Sequence, residues 1–251
     1  MPAELDSLVH TLSEPPAGIA WAWALERNVA APLESQVLRT IAAVPNRLPT
    51  PGELWLWFAE PLATRSNEFL PHLDLGEQAR VFRFHDEANR WTCAAARAGL
   101  RALLADMLGA TPQSLSFVSG RKGKLLLPSA PIHFNVSHTR GLVAIAISGS
   151  QVGIDVEPVR MTTDLMDIAR LAFAPEMQAA LHDCRDETLQ ARMFFRFWTL
   201  GEAYIKATGE GISQGLASFI FERDAAKLAR ASPGWGPASR WRFHAGASGD
   251  R

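Results

Sequence analysis

The chain has 251 residues, of which 47% are hydrophobic and 20% charged, and its formal net charge is −1. That is enough length and apolar content for one large domain or two small ones with a real core. The near-neutral balance excludes a global pull toward nucleic acid or a membrane, so any basic site has to be local. Cys93 and Cys184, the only cysteines, make no C-x-x-C pattern. They offer no thiolate metal site and fit a reducing compartment. Glu4 and Asp6 stand where a signal peptide would carry basic residues, and no apolar run approaches membrane-spanning length. The expectation is a cytoplasmic protein with no nucleic-acid or membrane partner.

Residues 1–50 read as an N-terminal extension. Within them Leu33, Val37, Leu38, Ile41 and Val44 have helical spacing, closed by Pro45, Pro49 and Pro51. Glu53 to Phe58 is dense in large apolar residues and reads as a buried strand. From Leu75 to Leu108 the pattern turns helical and carries Arg80, Arg83, Arg90, Arg97 and Arg101; Gly109 is its expected C-cap, and Thr111-Pro112 opens the next turn. Most such arginines are solvated.

Ser119-Gly120-Arg121-Lys122-Gly123-Lys124 joins a short strand over Leu115–Val118 to Leu125-Leu126-Leu127. Glycines let backbone N–H groups approach an anion and the cations supply a field, although a plain charged hairpin turn reads the same way. The glycine spacing is not that of a Walker loop. In Ile132 to His138 the apolar Ile132, Phe134 and Val136 alternate with Asn135 and Ser137, and His138 follows at the strand end. Hydroxyl, amide and imidazole together suit phosphate recognition. Leu142–Ile147 is a fully apolar strand. Residues 115–157 thus read as an antiparallel meander with polar residues gathered at strand ends.

Val152, Ile154 and Val156 alternate with Gly153, Asp155 and Glu157, so both acids lie on the face opposite the apolar set. Two carboxylates at ~4 Å repel by about 1 kcal/mol in water and about 4 kcal/mol at an effective dielectric of 20. A divalent cation such as Mg²⁺ would remove that cost; an exposed strand face that happens to carry two acids is the plainer alternative. Thr163 to His182 reads as helical, broken near Pro175, and a longer helix is expected from about Thr188 to Ala207, ended by Gly209 and Gly211. Glu202 and Lys206 on it are one turn apart, an ordinary ion pair unless that face meets the Asp155–Glu157 strand. In that case Glu202 becomes a third carboxylate at one metal.

Three patches then agree in order and spacing: Phe134-Asn135-Val136-Ser137-His138, Gly153-Ile154-Asp155-Val156-Glu157, and Phe197-Trp198-Thr199-Leu200-Gly201-Glu202-Ala203-Tyr204-Ile205-Lys206. Together they resemble the 4′-phosphopantetheinyl transferase superfamily, in its larger monomeric, surfactin-synthetase-activating type. The resemblance runs from about Leu54 to Phe221. It implies an α+β fold of two similar halves in one chain, 51–150 and 151–251, forming a pseudo-dimer with the active site between them. It implies coenzyme A as co-substrate, Mg²⁺ as metal and an apo acyl or peptidyl carrier protein as partner. Asp155, Glu157 and Glu202 fall on the family's metal positions, with Glu202 also on the general-base position and Lys206 near the coenzyme A phosphates; Lys206 and His138 are expected to act in catalysis by stabilising the leaving diphosphate. Asn135, Ser137, His138, Lys122, Gly123, Lys124 and Arg80 fall on its coenzyme A contacts.

Two features depart from the family. Gly201 stands where the family has lysine, and the chain stops where members continue with a final strand. Both leave room for a coenzyme A-binding paralogue with little transferase activity, acting as a binding or regulatory module. A generic Mg²⁺-dependent nucleotide hydrolase would leave the Asn-Val-Ser-His segment unexplained. Either a neighbouring element packs too closely at Gly201 for a side chain or the family's lysine has been lost; the adjacent Glu202 favours loss, in which case Gly201→Ala should stabilise the helix modestly and Gly201→Lys should tighten coenzyme A binding. Removing Asp155 or Glu202 is expected to abolish turnover and leave the fold intact.

Overall fold

A computed structural model describes residues 9–12, 19–26, 38–40, 47–50, 52–61, 63–139 and 141–247. Its strands are β1 (Val9–Leu12), β2 (Ile19–Glu26), β3 (Leu38–Thr40), β4 (Leu54–Pro61), β5 (Val118–Ser119), β6 (Leu125–Leu126), β7 (His133–Thr139) and β8 (Leu142–Ser148). They continue with β9 (Val152–Pro158), β10 (Ile220–Phe221), β11 (Leu228–Arg230) and β12 (Trp241–Ala247). The α-helices are α1 (Leu75–Val81), α2 (Glu87–Leu108), α3 (Leu165–Ala172), α4 (Pro175–His182) and α5 (Glu187–Thr208).

Two sheets and two long helices stack in the order α2, first sheet, second sheet, α5. The first sheet runs β1-β4-β8-β7, with β3 added in parallel to β4. Period-2 alternation gives it two apolar faces. Trp55, Trp57, Ile145 and Ile147 pack against Ala94, Ala98 and Leu104 of α2. Leu54, Leu56, Phe58, Leu142, Ala144 and Ala146 meet Val152, Ile154 and Val156 of β9. Each large side chain buried this way contributes about 1.5–3 kcal/mol. The second sheet runs β12-β2-β9, all antiparallel. Its helix, α5, is capped by Asp186 accepting from Leu189 N and by Gly209 in the left-handed region at φ 75°. Phe197, Leu200 and Tyr204 of α5 pack with Phe219, Phe221 and Trp241.

The strand at 54–61, the helices within 75–108, the break at Pro175 and the long helix over 187–208 stand where the sequence pattern puts them. Elsewhere the structure differs. Leu38–Thr40, inside the stretch with helical spacing, is a strand, because the exposed edge of β4 at Leu54–Leu56 takes it in parallel register. The rest of that segment, including Leu33, Val37, Ile41 and Val44, lies outside the described residues. The strand expected at Leu115–Val118 is reduced to Val118–Ser119.

The meander ends at β8. After the turn at 149–151 the chain crosses to the second sheet, and β9 pairs with β2 from residues 19–26, so the N-terminal stretch supplies that sheet's middle strand. The other edge of β9 meets a side chain in place of a strand: Ile154 N donates to Asn135 Oδ1 at 2.8 Å. At the far end Trp241–Ala247 is a strand, paired along its length with β2.

Two glycines set how closely α5 approaches. A Cβ at Gly153 would lie 2.0 Å from Ala203 O and 2.5 Å from Ala207 N, so β9 and the helix backbone are in direct contact there. A Cβ at Gly201 would lie 2.4 Å from Leu216 Cδ2 and 3.2 Å from Phe219 Cζ. Gly201 therefore faces the core of the second half, which corrects the lost-lysine reading: a side chain there would enter packed hydrocarbon. Overpacking costs typically about 1–3 kcal/mol and outweighs the ~1 kcal/mol helix-propensity gain of alanine. Gly201→Ala is expected to lower stability by about 1 kcal/mol and Gly153→Ala by more than 3 kcal/mol. Chemical denaturation of both variants checks the sign and the order; a raised midpoint for Gly201→Ala would restore the lost-lysine reading.

Candidate active site between the two sheets

The strand alternation that buries Val152, Ile154 and Val156 turns Asp155 toward α5, whose close approach at Gly153 brings Lys206 over it. Lys206 Nζ lies 2.5 Å from Asp155 Oδ1 and donates to Ser137 Oγ at 3.1 Å, while Ser137 Oγ donates to Asp155 Oδ1 at 2.9 Å. β7, β9 and α5 meet in that one cluster. The Asp155 side chain is 3% exposed and that of Lys206 28%. Asp155 Oδ2, buried, accepts no hydrogen bond.

Glu157 and Glu202 sit beside this pair, half-buried. Burial first and the charge of Asp155 second push Glu157 up to about 7, with Glu202 adding and Lys206 and Arg160 opposing. Burial also raises Glu202, against the pull of Lys206 and with a push from Asp155. The three carboxylates predicted to hold a metal thus feel one another's charge. They do not form a closed ligand set: among the described residues no group of three His, Cys, Asp or Glu side chains is close enough to hold a metal ion.

Next to the cluster opens a cleft of about 290 Å³, walled by Arg80, Arg97, Gly123, Lys124, Asn135 and His138, with Phe84, Cys93 and Phe134 among its apolar surfaces. His138 keeps an open face at the mouth. Partial burial, then the charges of Lys206 and Arg97, hold its imidazole below the ordinary range. Arg97 is lowered chiefly by desolvation, with Glu77 opposing. It escaped the sequence reading because it is one of five arginines at helical spacing; the signal was its company, since small residues at Cys93 and Ala96 leave that helix face open. Arg101, one turn on, is spent on Asp74 and Glu77 at 2.6 Å each and on two carbonyls.

The predicted cofactor contacts divide. Arg80, Gly123, Lys124, Asn135 and His138 line the cleft, whereas Ser137 and Lys206 lie in the carboxylate cluster. Lys122 does neither: it is exposed, at φ 53°, and its Cβ would lie 3.0 Å from a Cβ on Gly211. The Asn135 amide oxygen is engaged by Ile154 N and the Lys124 ammonium by three main-chain carbonyls.

A profile of the 4′-phosphopantetheinyl transferase superfamily matches residues 151–248. HetI of Nostoc sp., a 4′-phosphopantetheinyl transferase, is 35% identical over 170 residues, 65% of this chain and 71% of HetI. The chain belongs to the 4′-phosphopantetheinyl transferase superfamily. Within it, a Bacillus subtilis 4′-phosphopantetheinyl transferase is 33% identical over 129 residues, 47% of this chain and 56% of that protein. Sfp of Bacillus subtilis is 25% identical over 166 residues, 65% of this chain and 73% of Sfp. The chain is a transferase of that larger, Sfp-like type. Among its described residues no helix is long and apolar enough to cross a membrane.

In donor chemistry, though not in their present spacing, the residues of this transferase fit a divalent cation. All the candidate ligands are hard oxygens, one buried carboxylate oxygen is without a partner, and burial with the charge of Asp155 pushes Glu157 up to about 7. Asp155 also has a structural part. Its removal would strand the Lys206 ammonium and the Ser137 hydroxyl, so the expectation that Asp155→Ala leaves the fold untouched gives way to a destabilised variant.

Glu157 gives the site a pH signature. Its folded pKa of about 7 lies above the ordinary 4.5, so the fold favours the protonated form. Its contribution to stability is complete below pH 4.5 and is lost as pH rises through about 7. Metal-free protein is expected to lose stability across that window, and Glu157→Gln to flatten the loss. Melting curves at fixed ionic strength test it; an identical pH dependence in both proteins would contradict the assignment.

Proposed function

We propose that this chain moves the 4′-phosphopantetheine arm of coenzyme A onto a serine of an apo acyl or peptidyl carrier protein, with Mg²⁺ as the metal and 3′,5′-ADP as the leaving group. The observation that carries this reading is the juxtaposition of an undercompensated carboxylate cluster with a cationic cleft. Arg80, Arg97 and His138 would bind the nucleotide phosphates in the cleft, and the 119–126 hairpin would form one wall. Asp155, Glu157 and Glu202 would hold Mg²⁺, which when bound neutralises charge on the diphosphate.

Lys206 uses two of its three N–H donors on Asp155 and Ser137. The third is left for a diphosphate oxygen. The serine Oγ would attack the β-phosphorus, its proton passing to Glu202, whose basicity burial raises above that of an ordinary carboxylate. The bond from that phosphorus to the bridging oxygen breaks, and 3′,5′-ADP departs with the electron pair. Lys206 would stabilise the charge developing on it.

Each half sets a long helix on a mainly antiparallel sheet, which supports the pseudo-dimeric reading. Ser137 from the first half and Asp155 and Lys206 from the second meet in one cluster, which supports action as a monomer. Two observations weigh against a non-transferring binding module: Gly201 has a packing reason, and β12 pairs with β2 as an edge strand of the second sheet.

The test is to incubate the protein with coenzyme A, Mg²⁺ and a panel of apo carriers, then weigh the carriers. A mass gain of one phosphopantetheine with stoichiometric 3′,5′-ADP is expected. Glu202→Gln should lower turnover by about 10²–10³-fold while remaining folded; Lys206→Met should lower it as far and also destabilise the fold, because it leaves the buried Asp155 carboxylate uncompensated. Coenzyme A binding without modification of any carrier would leave only the binding-module reading, and full activity in Glu202→Gln would remove that residue as base.

A further inference from the structure

Lys124 Nζ donates to Lys206 O and Ala207 O at 2.8 Å each and to Val152 O at 3.2 Å. The first two are carbonyls of the last turn of α5, which a helix leaves without intrahelical partners. The third begins β9. All three donors of the ammonium are thus spent on main chain, and desolvation holds its pKa at about 8. Its stem lies against the helix C-cap, where a Cβ on Gly209 would sit 3.2 Å from Lys124 Cδ. The tip of the hairpin is closed by Gly120 N donating to Lys124 O at 2.7 Å, and its Gly123–Leu125 side forms part of the cleft wall.

From this geometry we infer that Lys124 is a positioning residue: it locks the end of α5, and with it Lys206, to β9 and to the hairpin that walls the cleft. The inference rests on the transferase reading for its consequence, and it assigns Lys124 a task other than contact with coenzyme A phosphate. The main chain of Lys206 is held by Lys124 while its side chain holds Asp155. Displacement of the hairpin is therefore passed to the cluster through three hydrogen bonds, without passing through solvent.

The test uses the full chain and the variants Lys124→Met, Lys124→Gln and Lys124→Arg. Amide hydrogen exchange over the last turn of α5 is expected to quicken at least tenfold in Lys124→Met, with the β4–β8 ladder unchanged. Lys124→Gln, whose amide still donates to two carbonyls, should fall between it and wild type. Lys124→Arg should restore at least part of the protection. In carrier modification, kcat should fall tenfold or more in Lys124→Met, while KM for coenzyme A moves less than threefold and keeps its salt dependence.

Unchanged exchange at the helix end would overturn the inference. So would a raised KM with a flatter salt dependence and an intact kcat, the pattern of a lost phosphate contact. A lower melting temperature with kcat unchanged would mean a purely structural lysine and would overturn it too. Should wild type modify no carrier, the transferase reading fails and the exchange measurements alone decide Lys124; should Lys124→Met not fold, Lys124→Gln against Lys124→Arg carries both arms.

Discussion

The contact on which the rest of the molecule depends is the pair between Asp155 and Lys206, shared with Ser137. It is the point at which the first sheet, the second sheet and the long helix of the second half touch through charge. Removing one member of a buried pair typically costs about 3–5 kcal/mol, because the other is left without compensation. Here the lysine is partly open to water, which softens that cost. The pair exists only because α5 lies directly on β9, and that approach requires a position without a side chain at Gly153. The register of β9 is fixed in turn by β2 on one edge and by Asn135 on the other. Each restraint comes from a different stretch of chain, and their common product is the placement of one ammonium over one carboxylate.

The cluster is arranged against its own electrostatics. Three carboxylates share a partly dehydrated space with one lysine, and Glu157 responds by keeping its proton up to about pH 7. Glu202, less crowded, is raised for the same leading reason, burial. An arrangement of this kind is unfavourable in isolation and becomes favourable when a cation arrives. The neighbouring cleft has the opposite bias: Arg80 and Arg97 gather positive charge beside the His138 imidazole, with no carboxylate among the residues that line it. A ligand carrying several phosphates and accompanied by a divalent cation satisfies both sides at once, which is the physical reason the two regions belong to one site.

Much of this was legible in the residues. The alternation through Gly153-Ile154-Asp155-Val156-Glu157 gave the faces of β9 correctly, because a strand packed on a sheet and under a helix sorts its side chains by period. Glu202 and Lys206 were placed on one face of a helix by their spacing. What lay beyond reach was pairing. The partner of β9 is a strand from residues 19–26, and nothing in the short apolar run around Trp21 and Trp23 announces which of two sheets it joins. Gly201 is hard to read for a related reason: propensity treats a helical glycine as a local cost, while Leu216 and Phe219, which pack on it, lie beyond the end of the helix. Arg97, Arg101 and Lys124 are alike in sequence and differ only in what folding sets before them, which is a cleft, two carboxylates and three carbonyls.

The central claim is that the carboxylate cluster lacks one cation and takes it up at the cost of a proton. Calorimetric titration of Mg²⁺ into the protein near pH 7, in the presence of saturating coenzyme A and in two buffers of different ionisation enthalpy, counts that proton directly. The account expects a fraction of a proton released per ion bound, and a smaller release in Glu157→Gln. Mg²⁺ binding whose heat is the same in both buffers, or no Mg²⁺ binding at all, would contradict it.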